Sequence, residues 1–456
     1  MEVYKFGGSS LANAKRIKGV ANIVINNGVE VVVLSAMKGI TNLLIEAAEQ
    51  AEKGNKSYKE SILAIKEKQR EAVKDLFASA ETEEIESKLF SIIAELNDIL
   101  HGVELVKECS PRSLDFISSF GERLNCTLVS EYFNSISHKS YYIDARKIIK
   151  TDNNFGSANV DLKLSYDLIK KKIDPAKGIA VITGFISSTE ELITTTLGRN
   201  GSDYTASIIG GALDADSVEI WTDVDGVLTA DPRLVENSYV IPELSISEAM
   251  EMSYFGAEVI HPYTLLPVVE KNIPVYIKNT LNPEAPGTLI AKEVKKNPNE
   301  ITGLASIESV SIINIEGGGM IGMPGMASKI FDSLAKSDVN IIMITQASSE
   351  HSISIVCRSS EVKAAIDGLN SDMEEALSQK KIQNIDVISN LEIIAVIGDN
   401  MRGRIGFSGR LFSSLGDEKV NVLAIAQGST EKNISFVVKS EEKQRALNTV
   451  HKTFLG

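Results

Sequence analysis

Four short segments carry residue types suited to handling anions. The first is Lys5-Phe6-Gly7-Gly8-Ser9-Ser10. Its glycines let backbone N–H groups approach phosphate oxygens, the helix start that follows favours anions, and Lys5 adds a full charge. The lysine precedes the glycines, so this is not the order of a Walker A loop. The second, TTTLGRNGSDYTA from Thr194 to Ala206, sets Arg199 among glycines and offers Ser202 or Asp203 as a cap for an apolar helix. A guanidinium beside a helix N-terminus is a good receptor for a carboxylate or phosphate. The third runs from Ile220 to Val235 as IWTDVDGVLTADPRLV. A strand ends there in Thr222-Asp223, and α/β sheets bind ligands at such carboxyl ends. Asp223, Asp225, Asp231 and Arg233 crowd the turns that follow. The fourth is SFGERLN from Ser119 to Asn125, with Glu122 at a helix start. Each has a plainer reading: a strand-to-helix turn, an ordinary cap, two tight turns, a solvated helix-start glutamate.

The surrounding pattern supplies strands and helices to position these groups. VYKF is short and apolar, GGSS interrupts it, and Leu11 to Asn27 has helical spacing. VEVVVLSA from Val29 is a continuous β-branched run, which suits a strand buried on both faces. From Thr41 to Ser135 the spacing is helical, with Leu89, Ile92, Ile93, Leu96, Ile99, Leu100 and Val103 on one apolar face. Strands return in SYYIDA, GIAVITGFI, ELITTTL, SVEIWTDV and IPVYIKN. The alternation predicts an α/β domain over residues 1–295 with a largely parallel sheet sandwiched by helices. The charged stretch KEVKKNPNE, Lys292 to Glu300, reads as a linker.

Beyond it lies an internal repeat. The segments beginning at Ser311 and Glu392 align without a gap at a spacing of 81 residues. Each reads strand, glycine-rich turn, helix, strand, turn, strand, with a further helix. Two βαββα units are expected, over 301–383 and 390–456. Gly317, Gly319 and Gly322 match G-x-G-x-x-G, but the second copy does not keep the pattern. The following strand also ends in Gln346, where a dinucleotide fold would place an acid. A sharp turn explains these glycines better.

Composition sets the outer limits. With 43% hydrophobic and 24% charged residues in 456, the chain can bury a sizeable core. The net charge of −14 argues against a nucleic-acid partner. Three scattered cysteines, Cys109, Cys126 and Cys357, make a disulfide framework or a bound protein metal improbable and fit a cytoplasmic setting. The start, MEVYKFGG, carries no leader pattern, and no apolar run is long enough to cross a membrane.

Taken in order, KFGGSS, LSAMKGITN from Leu34, SFGERLN, TTTLGRNGSDYTA, WTDVDGVLTADPR and FGAEVIHPYTL from Phe255 resemble the aspartokinases, within the amino-acid kinase fold family. The two repeats resemble paired ACT domains, which bind effector amino acids. The resemblance covers nearly the whole chain. It implies transfer of the ATP γ-phosphoryl group to the β-carboxylate of L-aspartate, giving 4-phospho-L-aspartate. That is the first step toward lysine, threonine and methionine. ATP with Mg²⁺ is the co-substrate. By resemblance Lys5, Gly7, Gly8 and Ser9 meet the phosphates, and Lys5 stabilises the transferring group. Arg199 clamps the aspartate α-carboxylate and Glu122 its ammonium, while Ser35, Thr41 and Ser202 add contacts. Asp203 orients Lys5 or the metal, and Thr222, Asp223 and Arg233 hold the nucleotide. Three positions depart from the family pattern: Asn200 where glycine is common, Leu228 for a frequent tyrosine, and Glu258 for a nucleotide-contacting lysine. Leu228 and Glu258 are therefore left out of the site. The rival reading is a non-catalytic amino-acid sensor on a kinase-like scaffold, which would show a damaged phosphate site. A fused dehydrogenase is not expected within these residues.

Each repeat places a glutamine after its second strand, Gln346 in ITQASSE and Gln427 in IAQGSTE. A primary amide donates and accepts, and so can bind a zwitterion or a hydroxyl without adding charge. Threonine suits this better than lysine, whose ammonium wants an acid that VNIIMIT lacks. The plainer and less favoured reading is that both glutamines only close a turn. Exposed ACT edge strands further imply a homodimer or larger assembly.

Overall fold

The computed structural model describes residues 1–255, 262–295, 297–320, 325–346 and 351–456. The departure at Glu258 lies outside them. The chain divides into two compact units: Met1–Val227, Val240–Ile246 and Val259–Val294 form the first, and Leu228–Tyr239, Ser247–Glu258 and Lys295–Gly456 the second.

In chain order the elements up to residue 291 are β1 (Glu2–Phe6), α1 (Ala14–Asn26), β2 (Val31–Leu34), α2 (Ile40–Glu52), α3 (Tyr58–Leu76), α4 (Ser79–Val106), α5 (Pro111–Ser118), α6 (Phe120–Ser135), β3 (Ser140–Ile143), α7 (Leu162–Lys172), β4 (Ile179–Thr183), β5 (Ile186–Ser188), β6 (Thr194–Thr196), α8 (Gly201–Leu213), β7 (Ser217–Thr222), β8 (Glu243–Ser245), α9 (Ile246–Tyr254), α10 (Leu266–Val269), β9 (Val275–Asn279) and β10 (Thr288–Ala291). Eight of the strands form one sheet in the order β3-β4-β2-β1-β7-β9-β10-β8. Every neighbouring pair is parallel except β9 with β10.

Local sequence explains the central elements. All four residues of β2 are buried, so the β-branched run packs on both faces, as a parallel strand between helices must. Helix α1 starts where the Asn13 side chain accepts from the Arg16 N–H, and it buries Ile17, Val20, Ala21 and Val24 along one stripe. The long helical stretch resolves into α2 to α6, whose apolar faces join β1 and β2 in one core. ELITTTL supplies no strand to the main sheet. Its β6 pairs with β5 in a small antiparallel hairpin.

The second unit continues with β11 (Gly303–Glu316), α11 (Met326–Lys336), β12 (Met343–Gln346), β13 (Ser352–Arg358), α12 (Val362–Asp372), α13 (Glu374–Ser378), β14 (Asn384–Ile397), α14 (Phe407–Asp417), β15 (Ala424–Gln427), β16 (Asn433–Lys439) and α15 (Lys443–Phe454). One antiparallel sheet runs β12-β13-β11-β14-β16-β15, so each repeat is ββ-paired to the other through β11 and β14. The repeat symmetry extends to the turns. Thr302 donates to the Ile397 carbonyl and Gln383 to the Glu316 carbonyl, both at 2.7 Å. A Cβ on Gly317 would lie 2.8 Å from Ile382 Cα, and one on Gly398 would lie 2.8 Å from Ile301 Cα. Close backbone approach accounts for Gly317 and Gly398, while Gly322 lies outside the described residues.

Two segments that precede the repeats in sequence are built into this unit. Ala230 and Val235 join Leu304, Phe436 and Val450 in its core. The Thr229 carbonyl accepts from the Leu304 N–H at 2.7 Å, and its hydroxyl meets Nε2 of the buried His451 at 3.0 Å.

Candidate active site

Strands β1, β2, β4, β7 and β9 all run the same way, so their carboxyl ends lie at one edge of the sheet. Lys5, next to last in β1, pairs with Asp203 in the first turn of α8, Nζ to Oδ1 2.6 Å, with both residues buried. The helix begins at Asn200, which adopts a left-handed φ of 54° and gives no side-chain cap. An asparagine accepts that conformation where most residues would not. Ser202 and Asp203 therefore do not cap the helix as the sequence suggests. Both lie inside its first turn, where the Gly201 N–H donates to the Gly198 carbonyl at 3.1 Å and the Asp203 N–H to the Asn200 carbonyl at 2.9 Å. Glycines make the approach of the segments possible: a Cβ on Gly184 would lie 2.6 Å from Ser202, and one on Gly8 would lie 3.0 Å from the Ala36 carbonyl oxygen.

Glu122 is not the solvated glutamate of the plainer reading. It is buried in the first turn of α6, and its Oε1 accepts from the Ala36 N–H at 3.0 Å. Its Oε2 is buried without a partner. Burial pushes its carboxyl up to about 8, against the pull of the amide hydrogen bonds. One turn on, Asn125 donates to the Ser35 carbonyl at 2.6 Å. The Ser35 N–H in turn donates to the Phe6 carbonyl at 3.1 Å. Helix α6 thus grips the loop after β2, which carries Ser35 and leads to Thr41 in the first turn of α2. Asn125 lies within SFGERLN, where nothing about its residue type sets it apart. Its signal is its place three residues after Glu122, on the same helix face.

Across β1, the Gly7 N–H donates to the Trp221 carbonyl, and Ser10 Oγ stands 2.6 Å from Thr280 Oγ1. The Thr280 N–H donates to the Thr222 carbonyl at 2.9 Å. Asp225 accepts from Asn279 Nδ2 at 2.8 Å and Asn282 Nδ2 at 3.2 Å, which ties down the loop after β7. Asn279 and Thr280, at the end of IPVYIKN, were not selected from sequence. Gly7, Gly8 and Ser9 lie half-buried at the turn after β1, with Asp223 exposed beside Thr222. Arg199 is exposed and has no ion pair among the described residues. Arg233 belongs to the second unit, where it makes a two-pronged ion pair with Asp231, the shortest contact being 2.7 Å. Leu228 is in that unit too. Gln346 and Gln427 are exposed at the ends of β12 and β15, the two outer strands of the second sheet. Among the described residues no group of three or more His, Cys, Asp or Glu stands ready to hold a metal.

The lysine-bearing glycine turn, the α8 N-terminus and the buried lone carboxylate oxygen of Glu122 all belong to segments at the carboxyl edge of the parallel sheet. Comparison with known proteins gives the chain a family. The model of the amino acid kinase family matches residues 1–279, and that of an ACT domain matches 313–373 and 394–454. The chain is 38% identical over 467 residues to the bifunctional aspartokinase/homoserine dehydrogenase 2, chloroplastic, of Arabidopsis thaliana, covering 99% of this chain and 50% of the relative. It is 34% identical to aspartokinase 1, chloroplastic, of the same plant, covering 99% of this chain and 80% of the relative. E. coli aspartokinase III in complex with aspartate and ADP (R-state) superposes with a TM-score of 0.84 at 30% identity over the whole of both chains. Its T-state with lysine and aspartate gives 0.81 at 31%. The chain belongs to the aspartokinases, within the amino acid kinase family. It spans about half the length of the first curated relatives it matches.

Proposed function

We propose that the protein is an ATP-dependent aspartate kinase whose C-terminal repeats regulate it. The buried Lys5–Asp203 pair beside the α8 N-terminus carries this reading, because a non-catalytic sensor has no need to keep a buried cation there. A carboxylate of aspartate attacks the γ-phosphorus of ATP. One carboxylate O–P bond forms, the bond to the bridging oxygen breaks, and ADP leaves with that electron pair. The nucleophile is already ionised at neutral pH, so no general base is required. The work left is to bring two anions together, by positioning and charge neutralisation from Lys5, the positive end of α8 and Mg²⁺ carried by the nucleotide.

In this reading Lys5, Gly7, Gly8 and Ser9 receive the phosphates, and Thr222 and Asp223 hold the nucleotide from the end of β7. Arg199 takes the α-carboxylate of aspartate and Glu122 its ammonium, with Ser35, Thr41 and Ser202 around it. The lone Oε2 of Glu122 supports the ammonium role, since a buried acceptor without a donor is costly until a ligand supplies one. Kinase residues 1–295 would answer to regulatory repeats at 301–383 and 390–456. The effector is an end-product amino acid, threonine ahead of lysine, read by Gln346 and Gln427. Pairing through the outer strands β12 and β15 makes a homodimer or larger, working in the cytoplasm. The decisive experiment mixes protein, ATP and Mg²⁺ with and without L-aspartate, and traps the acyl phosphate as a hydroxamate. ADP and hydroxamate should form together and only with aspartate. ADP release that ignores aspartate would overturn the reading.

A further inference from the structure

Asp115 lies outside every segment singled out by sequence, yet it binds three separate parts of the first unit together. It sits in α5, 3% exposed. Oδ2 accepts from the Gly156 N–H at 2.9 Å and the Thr196 N–H at 3.0 Å, and Oδ1 accepts from the Thr196 hydroxyl at 2.8 Å. No cation pairs with it among the described residues. Burial outweighs the three donors and holds the carboxyl above the usual aspartate range. A carboxylate so placed is maintained by its donors alone, which makes their geometry strict.

What those donors control is Arg199. Thr196 ends β6, three residues before it. The Thr196 carbonyl accepts from the Ala158 N–H at 2.9 Å, so the loop holding Gly156 and the end of β6 are joined twice. Gly198 follows with a left-handed φ of 76°, and a Cβ there would stand 3.3 Å from the Gly156 carbonyl oxygen. The Leu197 N–H donates to the Phe185 carbonyl at 2.9 Å, and the Gly201 N–H to the Gly198 carbonyl at 3.1 Å. Arg199 therefore rides on a short loop with one end fixed by α8 and the other by Asp115.

We propose that Asp115 is a positioning residue: by tying α5 to Gly156 and Thr196 it fixes where the Arg199 loop leaves β6, and so sets the affinity for the substrate carboxylate. The proposal rests on the assignment of Arg199 to that carboxylate. A loop displaced by a fraction of an ångström would carry its guanidinium off the bidentate geometry on which such contacts depend.

Steady-state kinetics on the full chain test it, with Asp115→Asn and Thr196→Val made singly and combined with Arg199→Ala. The amide of Asp115→Asn removes the charge and one acceptor oxygen, so its NH₂ must face either the two backbone N–H donors or the Thr196 hydroxyl, whose bond is then reversed. The aspartate KM should rise about tenfold while kcat and the ATP KM stay within about threefold. Thr196→Val removes only the hydroxyl bond and should shift the aspartate KM about threefold in the same direction. On the Arg199→Ala background neither change should raise the aspartate KM further. A folded Thr196→Val with an unchanged aspartate KM overturns the proposal, whether or not Asp115→Asn folds. Equal rises in both KM values, or a lower Tm alone, would mean a merely structural role. If Arg199→Ala raises the aspartate KM and Asp115→Asn adds its full factor on top, the positioning role fails while the Arg199 assignment stands. If Arg199→Ala leaves the aspartate KM unchanged, that assignment fails and takes this proposal with it.

Discussion

Lys5 Nζ and Asp203 Oδ1 stand 2.6 Å apart and link the end of β1 to the first turn of α8. The pair is not symmetric. Asp203 lies at the positive end of a helix and Lys5 faces that same end, so the carboxylate tolerates losing its partner better than the ammonium does. Breaking a buried pair costs about 3–5 kcal/mol when the remaining charge is uncompensated. Asp203→Ala should therefore lower the Tm more than Lys5→Met. Lys5→Met should instead cut kcat by about a hundredfold or more, because its charge acts on the transferring group. Differential scanning fluorimetry beside kinase assays checks both. Equal Tm losses would contradict the asymmetry.

Glu122 gives a pH dependence with a definite sign. Its folded value is raised from 4.5 to about 8, so the folded state holds a proton that the unfolded state has released. Stability from this group is therefore lost as pH rises between about 4.5 and 8. Glu122→Gln should flatten that decline in urea melts. An aspartate ammonium docking on Oε2 would expel the proton, so calorimetry at pH 7 in buffers of different ionisation enthalpy should show proton release with the wild type and none with Glu122→Gln.

His451 predicts the opposite slope in the second unit. It is buried against Thr229 Oγ1 and the Tyr239 ring, with no carboxylate among those partners, and burial holds its pKa below the usual 6.5. The unfolded chain takes up the proton first, so stability falls as pH drops below about 6.5. In His451→Gln the amide can still meet Thr229. Urea melts at pH 5.5 and 7.5 should then differ less than those of the wild type.

Regulation is tested at the glutamines. Gln346→Ala should weaken inhibition by threonine at least severalfold while kcat and the aspartate KM hold, since Gln346 lies in the second unit and the catalytic groups in the first. Wild-type activity indifferent to millimolar threonine but reduced by lysine would sink the threonine assignment.

The parts of the site that read well from sequence are those where chemistry and local structure coincide. Lys5 and Gly7 sit on a strand-to-turn junction, and the run VVVL announces its own burial. Asp115 was illegible because its partners are 41 and 81 residues away, and nothing in SPRSLDF distinguishes it from a solvated helix aspartate. Asn279 and Thr280 became visible only when β9 fell beside β7. Arg233 lies in a segment whose unit the sequence does not announce. The resemblance groups Arg233 with the nucleotide residues Thr222 and Asp223, and its neighbours Ala230 and Val235 are buried in the second unit's core. Sequence adjacency carried no information about which hydrophobic cluster would claim them. The linker reading of 292–300 missed a similar attachment, since Asn400 Nδ2 holds the carbonyls of Asn297 and Asn299 at 2.6 and 2.9 Å.

Gly317 and Gly398 occupy equivalent places in the two repeats, and the gap left by each missing Cβ is filled from the chain leading into the other copy's long strand, by Ile382 just before β14 and by Ile301 just before β11. The two copies are thus locked like clasped hands, and neither is a transplantable module. A single repeat moved into another protein would carry an unsealed slot at its own turn and an orphan strand seeking one. Divergence is constrained in the same way. One copy can drift in its surface and still be indispensable, because it remains the stopper for its twin.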